Sequence, residues 1–160
     1  MSTSRPQDAR KPALEAAAAE ARRLGDSRIG TQHILLGLFH NPVSLAVQTL
    51  GLELADARAA LDELDRTALA AIGLGVVSLN DPVPMPRRRR PALTSGARST
   101  LHRAVQRALS EGEGTVEERH VLYALLTLRH PDPAHALLTA LDVDTESARQ
   151  RLEQHRDRER

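Results

Sequence analysis

The chain has 160 residues, a net charge of +1 and no cysteine, which excludes disulfide bonds and thiolate chemistry. No apolar run approaches the roughly 18 residues that a membrane span requires, and the first residues show no signal-peptide core. Acidic and basic residues are interspersed, so no overall field favours nucleic acid or a membrane. We therefore expect a soluble, cytoplasmic protein without membrane partners.

The first half of the chain begins with two predicted helices. Pro12 is suited to the first turn of a helix that reaches Leu24 and stops at Gly25. Thr31 is the predicted N-cap of a second helix. That helix should end near Asn41, because a proline follows.

Two further helices complete the first half. A short third helix ends at Gly51, and a fourth runs from about Glu53 to Ile72. The fourth carries apolar residues at three-to-four spacing, which predicts an amphipathic helix with one buried stripe. The stripe consists of Leu54, Ala57, Leu61, Leu64, Ala68 and Ile72.

Residues 73–92 are rich in glycine, proline and arginine, which predicts an extended connector. It contains the run Arg87–Arg90, for which a solvated linker and a phosphate grip are the alternatives. Nucleic-acid modules usually add aromatic stacking, and the chain has one Phe and one Tyr. The linker is the preferred interpretation, and a regulatory protein that contacts nucleic acid through this run is the alternative function.

The second half predicts four more helices. Thr94 or Ser95 caps a helix that reaches Glu111, and Thr115 with Glu118 forms a capping box for the next. The last two helices are capped by aspartates in the same way. Asp132 precedes one, and Asp144 precedes the other, which should reach at least Gln154 before a charged tail at 156–160.

One helical phrase occurs twice in the chain. The copies are Leu14–Gly25 followed by Ile29–Leu38, and Leu101–Gly112 followed by Val116–Leu125. In each copy a histidine, His33 or His120, opens the apolar run about eight residues after the glycine. A pattern repeated at this length predicts one folded unit used twice, with apolar faces that bury one another. We predict units at 12–72 and 93–155 after a flexible N-terminus at 1–11.

The first copy resembles a known family. The matching residues are Leu24-Gly25 and Ile29-Gly30-Thr31-Gln32-His33-Ile34-Leu35-Leu36-Gly37-Leu38, and the resemblance covers about residues 12–64 and 93–153. They are similar to the double-repeat N-terminal (Clp N) domain of Clp-family AAA+ unfoldases, closest to the ClpC type. The resemblance implies an all-α, pseudo-symmetric bundle of eight helices, four per repeat. It also implies a domain that receives client and adaptor proteins.

The sequence contains no Gly-x-x-x-x-Gly-Lys-Ser/Thr loop, so it lacks the phosphate cradle of an ATPase module. Nucleophile-elbow and paired-carboxylate signatures are missing as well. We therefore expect no enzyme activity and no cofactor. The expected function is a protein- or peptide-binding module, accessory to Clp-dependent proteolysis or competing with it. Its expected partners are Clp clients, adaptors, peptide ligands or the Clp ATPase itself. A stand-alone homologue and a fragment are both open, and Met1 with the charged tail favours the former.

Four candidate ligand-binding residues follow from the resemblance: Thr31, Gln32, Glu118 and Arg119. The family recognises phosphorylated arginine with a carboxylate in each repeat, because a carboxylate pairs with the guanidinium. The matching positions here are Gln32 and Arg119, so both carboxylates are missing. These two are predicted to be ordinary solvated residues of a helix N-terminus. Thr31 is a cap first and a ligand contact second, and Glu118 serves its capping box.

The histidines are predicted to have structural roles rather than catalytic or metal-binding ones. His33 and His120 hold equivalent positions, and neither has a metal-ligand partner at helical spacing, so we expect packing and hydrogen bonding. His130 and His135 flank a Pro-Asp-Pro segment that predicts a loop and a helix start. No metal site and no catalytic residue are predicted.

Overall fold

The computed structural model describes residues 8–73 and 90–160, and within those ranges it contains eight α-helices and one short strand pair. The first unit contributes α1 (Arg10–Leu24), α2 (Thr31–Leu38), α3 (Leu45–Leu50) and α4 (Leu54–Ala71). The second contributes α5 (Ser95–Ser110), α6 (Glu118–Leu126), α7 (Pro133–Ala140) and α8 (Thr145–Glu159). The predicted all-α bundle of two four-helix units is confirmed.

Two helices of the first unit end at a glycine. Gly25 ends α1 and Gly51 ends α3, with φ angles of 74° and 66°, which only glycine adopts without strain. The first helix begins at Arg10, two residues before Pro12, and it ends at Leu24 as predicted. The sequence therefore located the end of this helix better than its start.

Caps in the second unit also agree with the sequence. The Thr94 side chain accepts a hydrogen bond from the Ala97 amide at 3.1 Å, and Asp132 accepts one from Ala134 at 2.8 Å. Asp144 caps α8 by accepting from two backbone amides of its first turn. These side chains satisfy donors that the helices themselves leave unpaired.

The boundaries of two helices differ from expectation. The second helix ends at Leu38, three residues before Asn41, and a hydrogen-bonded turn over Phe39 and His40 follows it. The last helix continues to Glu159, so the predicted charged tail is almost entirely helical. Arg156 pairs with Glu153 at 3.1 Å inside this last stretch, and such pairs support a helix.

The stripe predicted on α4 is buried only in part. Ala57 and Leu61 are buried, whereas Ala68 is exposed and Ile72 is 70% exposed. The reason is length: α4 has 18 residues, about 27 Å, while its partners α2 and α7 have eight each, about 12 Å. The second half of α4 extends beyond the elements that would cover it.

The centre of the bundle is formed by α2, in which seven of eight residues are buried. Gly37 allows a close approach to α1, since a Cβ atom there would lie 2.9 Å from the Ala13 carbonyl oxygen and 3.0 Å from the Ala17 nitrogen. Small residues on both helices thus set their spacing.

The two units share one core. Helix α2 packs against α6 and α7, and α3 packs against α6 and α8. The strands β1 (Arg28–Ile29) and β2 (Ala92–Leu93) pair in parallel across the units, a pairing that the sequence did not predict. The apolar faces of the units therefore bury one another, as the repeat indicated.

Most of the predicted connector, including Arg87–Arg89, lies outside the described residues. Arg90 is described and exposed. The domain boundaries proposed above stay predictions. Within residues 8–73 and 90–160, no helix is long and apolar enough to cross a membrane.

Candidate functional site

Two clefts open at equivalent places, beside the starts of α2 and α6. The first cleft has a volume of about 380 Å³ and is lined by Asp26, Arg28, Thr31, Gln32 and Asp132, among others. The second has a volume of about 240 Å³, and its lining includes Leu45, Gln48, Glu117, Glu118 and Arg119. All four candidate residues therefore lie at one of the two clefts.

Thr31 and Glu118 form what we call exchanged caps: each side chain accepts a hydrogen bond at the start of a helix in the other unit. Thr31 is the first residue of α2 rather than its N-cap, and its hydroxyl accepts from the Ala134 amide of α7 at 3.2 Å. Glu118 is the first residue of α6, and its carboxylate accepts from the Ala46 amide of α3 at 2.9 Å. Each residue thus caps a helix of the other unit, which corrects both predicted roles.

A second contact fixes the Thr31 side chain. Its hydroxyl donates to the Asp132 carboxylate at 2.7 Å, and Asp132 also accepts from the Ala134 amide. One side of the first cleft is therefore built from residues about 100 positions apart in the chain, joined by buried or half-buried hydrogen bonds. Such closed networks hold their members in one geometry.

The predicted capping box of α6 is wrong. Glu117, not Thr115, is the N-cap residue, and the fourth member of the motif is a histidine. The His120 Nδ1 atom accepts from the Glu117 amide at 2.8 Å. His33 does the same for Gly30 at the start of α2, also at 2.8 Å. Both histidines therefore act as reverse caps, which satisfies an otherwise orphaned amide.

The other ring nitrogen of each histidine contacts a carboxylate. His33 Nε2 lies 2.8 Å from Asp26, and His120 Nε2 lies 3.2 Å from Glu111. Because Nδ1 accepts from an amide, the ring proton belongs on Nε2, which donates to the carboxylate. Both histidines are buried and have partners at both nitrogens, so the predicted structural role agrees with this geometry.

Gln32 is the candidate that faces the first cleft most openly. It is half-buried, and its side chain folds over Gly30. Its Oε1 atom is buried and has no hydrogen-bond partner among the described residues. The side chain has to turn outward before this oxygen can accept a hydrogen bond from a ligand.

Arg119 is not the solvated residue that the sequence predicted. Its side chain is 8% exposed, and it pairs with Glu111 at 2.5 Å, with Glu117 at 3.0 Å and with Glu113. Burial disfavours the charged guanidinium, but the hydrogen bonds to Glu111 and Glu117 outweigh it and raise the pKa of Arg119. Arginine suits this position because its planar group presents several donors at once. The positive charge of Arg119 is thus neutralised by carboxylates inside the protein.

Glu111 is the centre of this network. It also pairs with Arg107 at 2.6 Å and with Arg156 at 3.3 Å, which ties α5 and α6 to α8. Burial would raise its pKa, but hydrogen bonds from Arg119, Arg107 and His120 outweigh burial and lower the pKa of Glu111 to about 2. The first unit has a similar buried carboxylate, Glu20.

Three side chains of this network have the composition of a metal site. Ligand atoms of Glu111, Glu113 and His120 lie within 4.8 Å of one another. The guanidinium of Arg119 already pairs with both glutamates, so a cation would have to displace it. The cluster is therefore explained by an internal ion pair.

The carboxylates of these networks were not predicted from the sequence. Asp26 and Glu113 each precede a repeat histidine by seven residues, and both contact that histidine. This shared spacing was the available signal. The contact between Thr31 and Asp132 had no such signal, because it depends on how the units pack.

Comparisons with known proteins agree with this architecture. Residues 92–160 match the model of the Clp repeat (R) N-terminal domain family. The match falls on the second unit, although the first carries the phrase used above for the resemblance.

Among solved structures, the N-terminal domain of the caseinolytic protease associated chaperone ClpD from Arabidopsis thaliana has a TM-score of 0.69 and 17% sequence identity. The alignment covers 98% of this chain and 97% of that chain. At this identity the likeness shows the fold. Residues 92–160 therefore match a Clp repeat, and the chain as a whole has the fold of a Clp N-terminal domain.

Proposed function

We propose that this protein binds client or adaptor proteins of Clp-dependent proteolysis in its first and second clefts, as an accessory to the Clp unfoldase or a competitor of it. The observation that supports this most directly is the pair of clefts at equivalent helix starts. Their walls come from both units and are held by the exchanged caps of Thr31 and Glu118. Rigid walls lower the entropic cost of binding a flexible client.

The candidate residues have different roles in this proposal. Gln32 contacts the ligand through its side-chain amide once that side chain turns away from Gly30. Thr31 and Glu118 position the walls of the first and second cleft. Arg119 holds the start of α6 in place through its three carboxylate partners.

We expect this protein to bind phosphoarginine only weakly. A guanidinium ligand needs an acceptor with free capacity. The two positions that match the family's carboxylates are Gln32 and Arg119, and the neighbouring carboxylates Asp26 and Glu117 pair with His33 and Arg119. Gln32 offers a neutral oxygen in place of the family carboxylate, so clients are held mainly by other contacts.

The test is a binding assay with casein, a permanently unfolded model client, labelled with fluorescein. Each cleft is blocked by one bulky residue at an exposed position: Ser27→Trp for the first and Gln48→Trp for the second. Gln106→Trp, exposed on α5 and outside both clefts, is the matched control. We expect the double Trp variant to lose casein binding and the control to retain it.

A second readout separates binding from a role in proteolysis. Added protein should change the rate at which a Clp unfoldase and its peptidase degrade casein. Slower degradation supports competition, and faster degradation supports delivery. An unchanged rate with no casein binding, or equal binding by the double variant and the control, would refute the proposal.

A further inference from the structure

A third cleft, of about 650 Å³, continues the first along α5. It is lined by the start of α5 and by the turn between α6 and α7, including Arg103, Leu128 and Arg129. Gly96 and Asp132 line both clefts, so the first and third clefts form one continuous surface. We call this combined surface the α5 groove.

The α5 groove is lined by three arginines and two aspartates, so its side chains carry a net positive charge. Arg28, Arg103 and Arg129 are exposed, and none forms an ion pair within the described part of the chain. Asp26 contacts His33 at 2.8 Å. The other acidic residue, Asp132, accepts from Thr31 and from the amide of Ala134.

The second cleft, although equivalent by the repeat, has the opposite character. Three glutamates line it, Glu117, Glu118 and Glu159, and its arginine is buried among carboxylates. The two sides of this pseudo-symmetric bundle therefore differ in charge. A ligand attracted to one side is repelled by the other.

We propose that the α5 groove binds an extended acidic peptide segment, so that its partners carry Asp- and Glu-rich stretches. This inference rests on the proposed function and specifies the chemistry of the client segment that the first cleft receives, since the acidic second cleft receives a different segment. From Ser95 to Arg103 the helix rises about 12 Å, the span of about four extended residues. At the far end of the groove, Arg103 and Arg129 would pair with carboxylates of the peptide. Leu128 and Pro131 offer apolar surface beside these arginines.

Two labelled peptides of equal length test the charge assignment by fluorescence anisotropy: one alternates Asp and Ala, the other Lys and Ala. We expect the acidic peptide to bind more tightly, with an affinity that falls as salt rises. Arg103→Gln/Arg129→Gln should weaken it about tenfold, since each exposed ion pair contributes modestly. Arg98→Gln/Arg158→Gln removes the same charge from exposed positions outside the groove and should have a much smaller effect.

Each other outcome has a defined meaning. Equal affinity for the two peptides, or equal losses in the two double variants, would refute the acidic-peptide proposal. If casein still binds to the unmodified protein in that case, client binding itself survives. Tighter binding of a thymidine oligonucleotide than of the acidic peptide would also refute the proposal, because the groove would then favour phosphates.

Discussion

A substitution of Arg119 is the most direct test of how much the buried ion pairs stabilise the fold. Its guanidinium lies 8% exposed among three carboxylates, of which Glu111 is itself only 7% exposed. Arg119→Met keeps the length and the apolar stem of the side chain but removes the charge. The substitution therefore leaves the carboxylates of Glu111, which is buried, and Glu113, which is half-buried, beside an apolar group.

The expected loss of stability follows from two independent arguments. Removing one partner of a buried ion pair typically costs about 3 to 5 kcal/mol. Lowering the pKa of Glu111 from 4.5 to about 2 corresponds to about 3 kcal/mol of stabilisation by all its partners together. Since Arg107 and Arg156 remain, we expect a loss of about 2 to 3 kcal/mol from Arg119→Met.

The loss should depend on pH in a defined direction. The folded-state pKa of Glu111 lies below its ordinary value, so the stabilisation is present above about pH 5 and disappears as the pH falls toward 2. Without Arg119 the pKa of Glu111 rises. The difference in stability between the two proteins should therefore shrink steadily below about pH 5.

Urea unfolding followed by circular dichroism measures both effects. Arg66→Met is the control, because Arg66 pairs with Glu63 at an exposed site where both side chains are more than 60% accessible. The control should change the free energy of unfolding by less than about 0.5 kcal/mol. A loss below about 1 kcal/mol for Arg119→Met at pH 7, or a loss independent of pH, would contradict the reasoning.

Three further predictions concern single residues. Glu118→Ala should cost about 1 kcal/mol in urea unfolding, because the Ala46 amide loses its cap; no loss would mean that water replaces it. Glu20 is 1% exposed, and although burial raises its pKa, hydrogen bonds from Arg58 and two other residues lower it to about 2. Glu20→Gln should therefore destabilise at pH 7 by about 2 kcal/mol and flatten the loss of stability between about pH 5 and 2; an unchanged acid profile would contradict this. Gln32→Glu should strengthen phosphoarginine binding about tenfold in calorimetric titration, whereas equal affinity would show that this position does not face the ligand.

Local signals predicted the fold well. Left-handed glycines, aspartate caps and three-to-four spacing depend on a few neighbouring residues, and they located most helix ends. The predicted burial of the α4 stripe is wrong in its second half, because burial of Ala68 and Ile72 depends on the lengths of the partner helices. Sequence spacing shows which residues share a face, but not how much of that face is covered.

The four candidate residues, Thr31, Gln32, Glu118 and Arg119, all lie at the clefts, and their role in ligand binding stays a prediction. Their partners could not be predicted, because the contacts of Thr31 and Glu118 cross between units. The burial of Arg119 also required knowing that the glutamates before α6 turn back toward it.

The exchanged caps explain why the repeat is a joint structure rather than two independent domains. If the units were separated, the Ala46 amide would lose Glu118, and the Ala134 amide would keep only Asp132. Separation would also expose the apolar surface that the two units bury against each other, at about 25 cal/mol per Å². The units must therefore stay together, and each cleft borrows a wall from the other unit. Because the scaffold is fixed by these internal contacts, exposed cleft residues such as Arg103 are free to differ in charge without disturbing the fold.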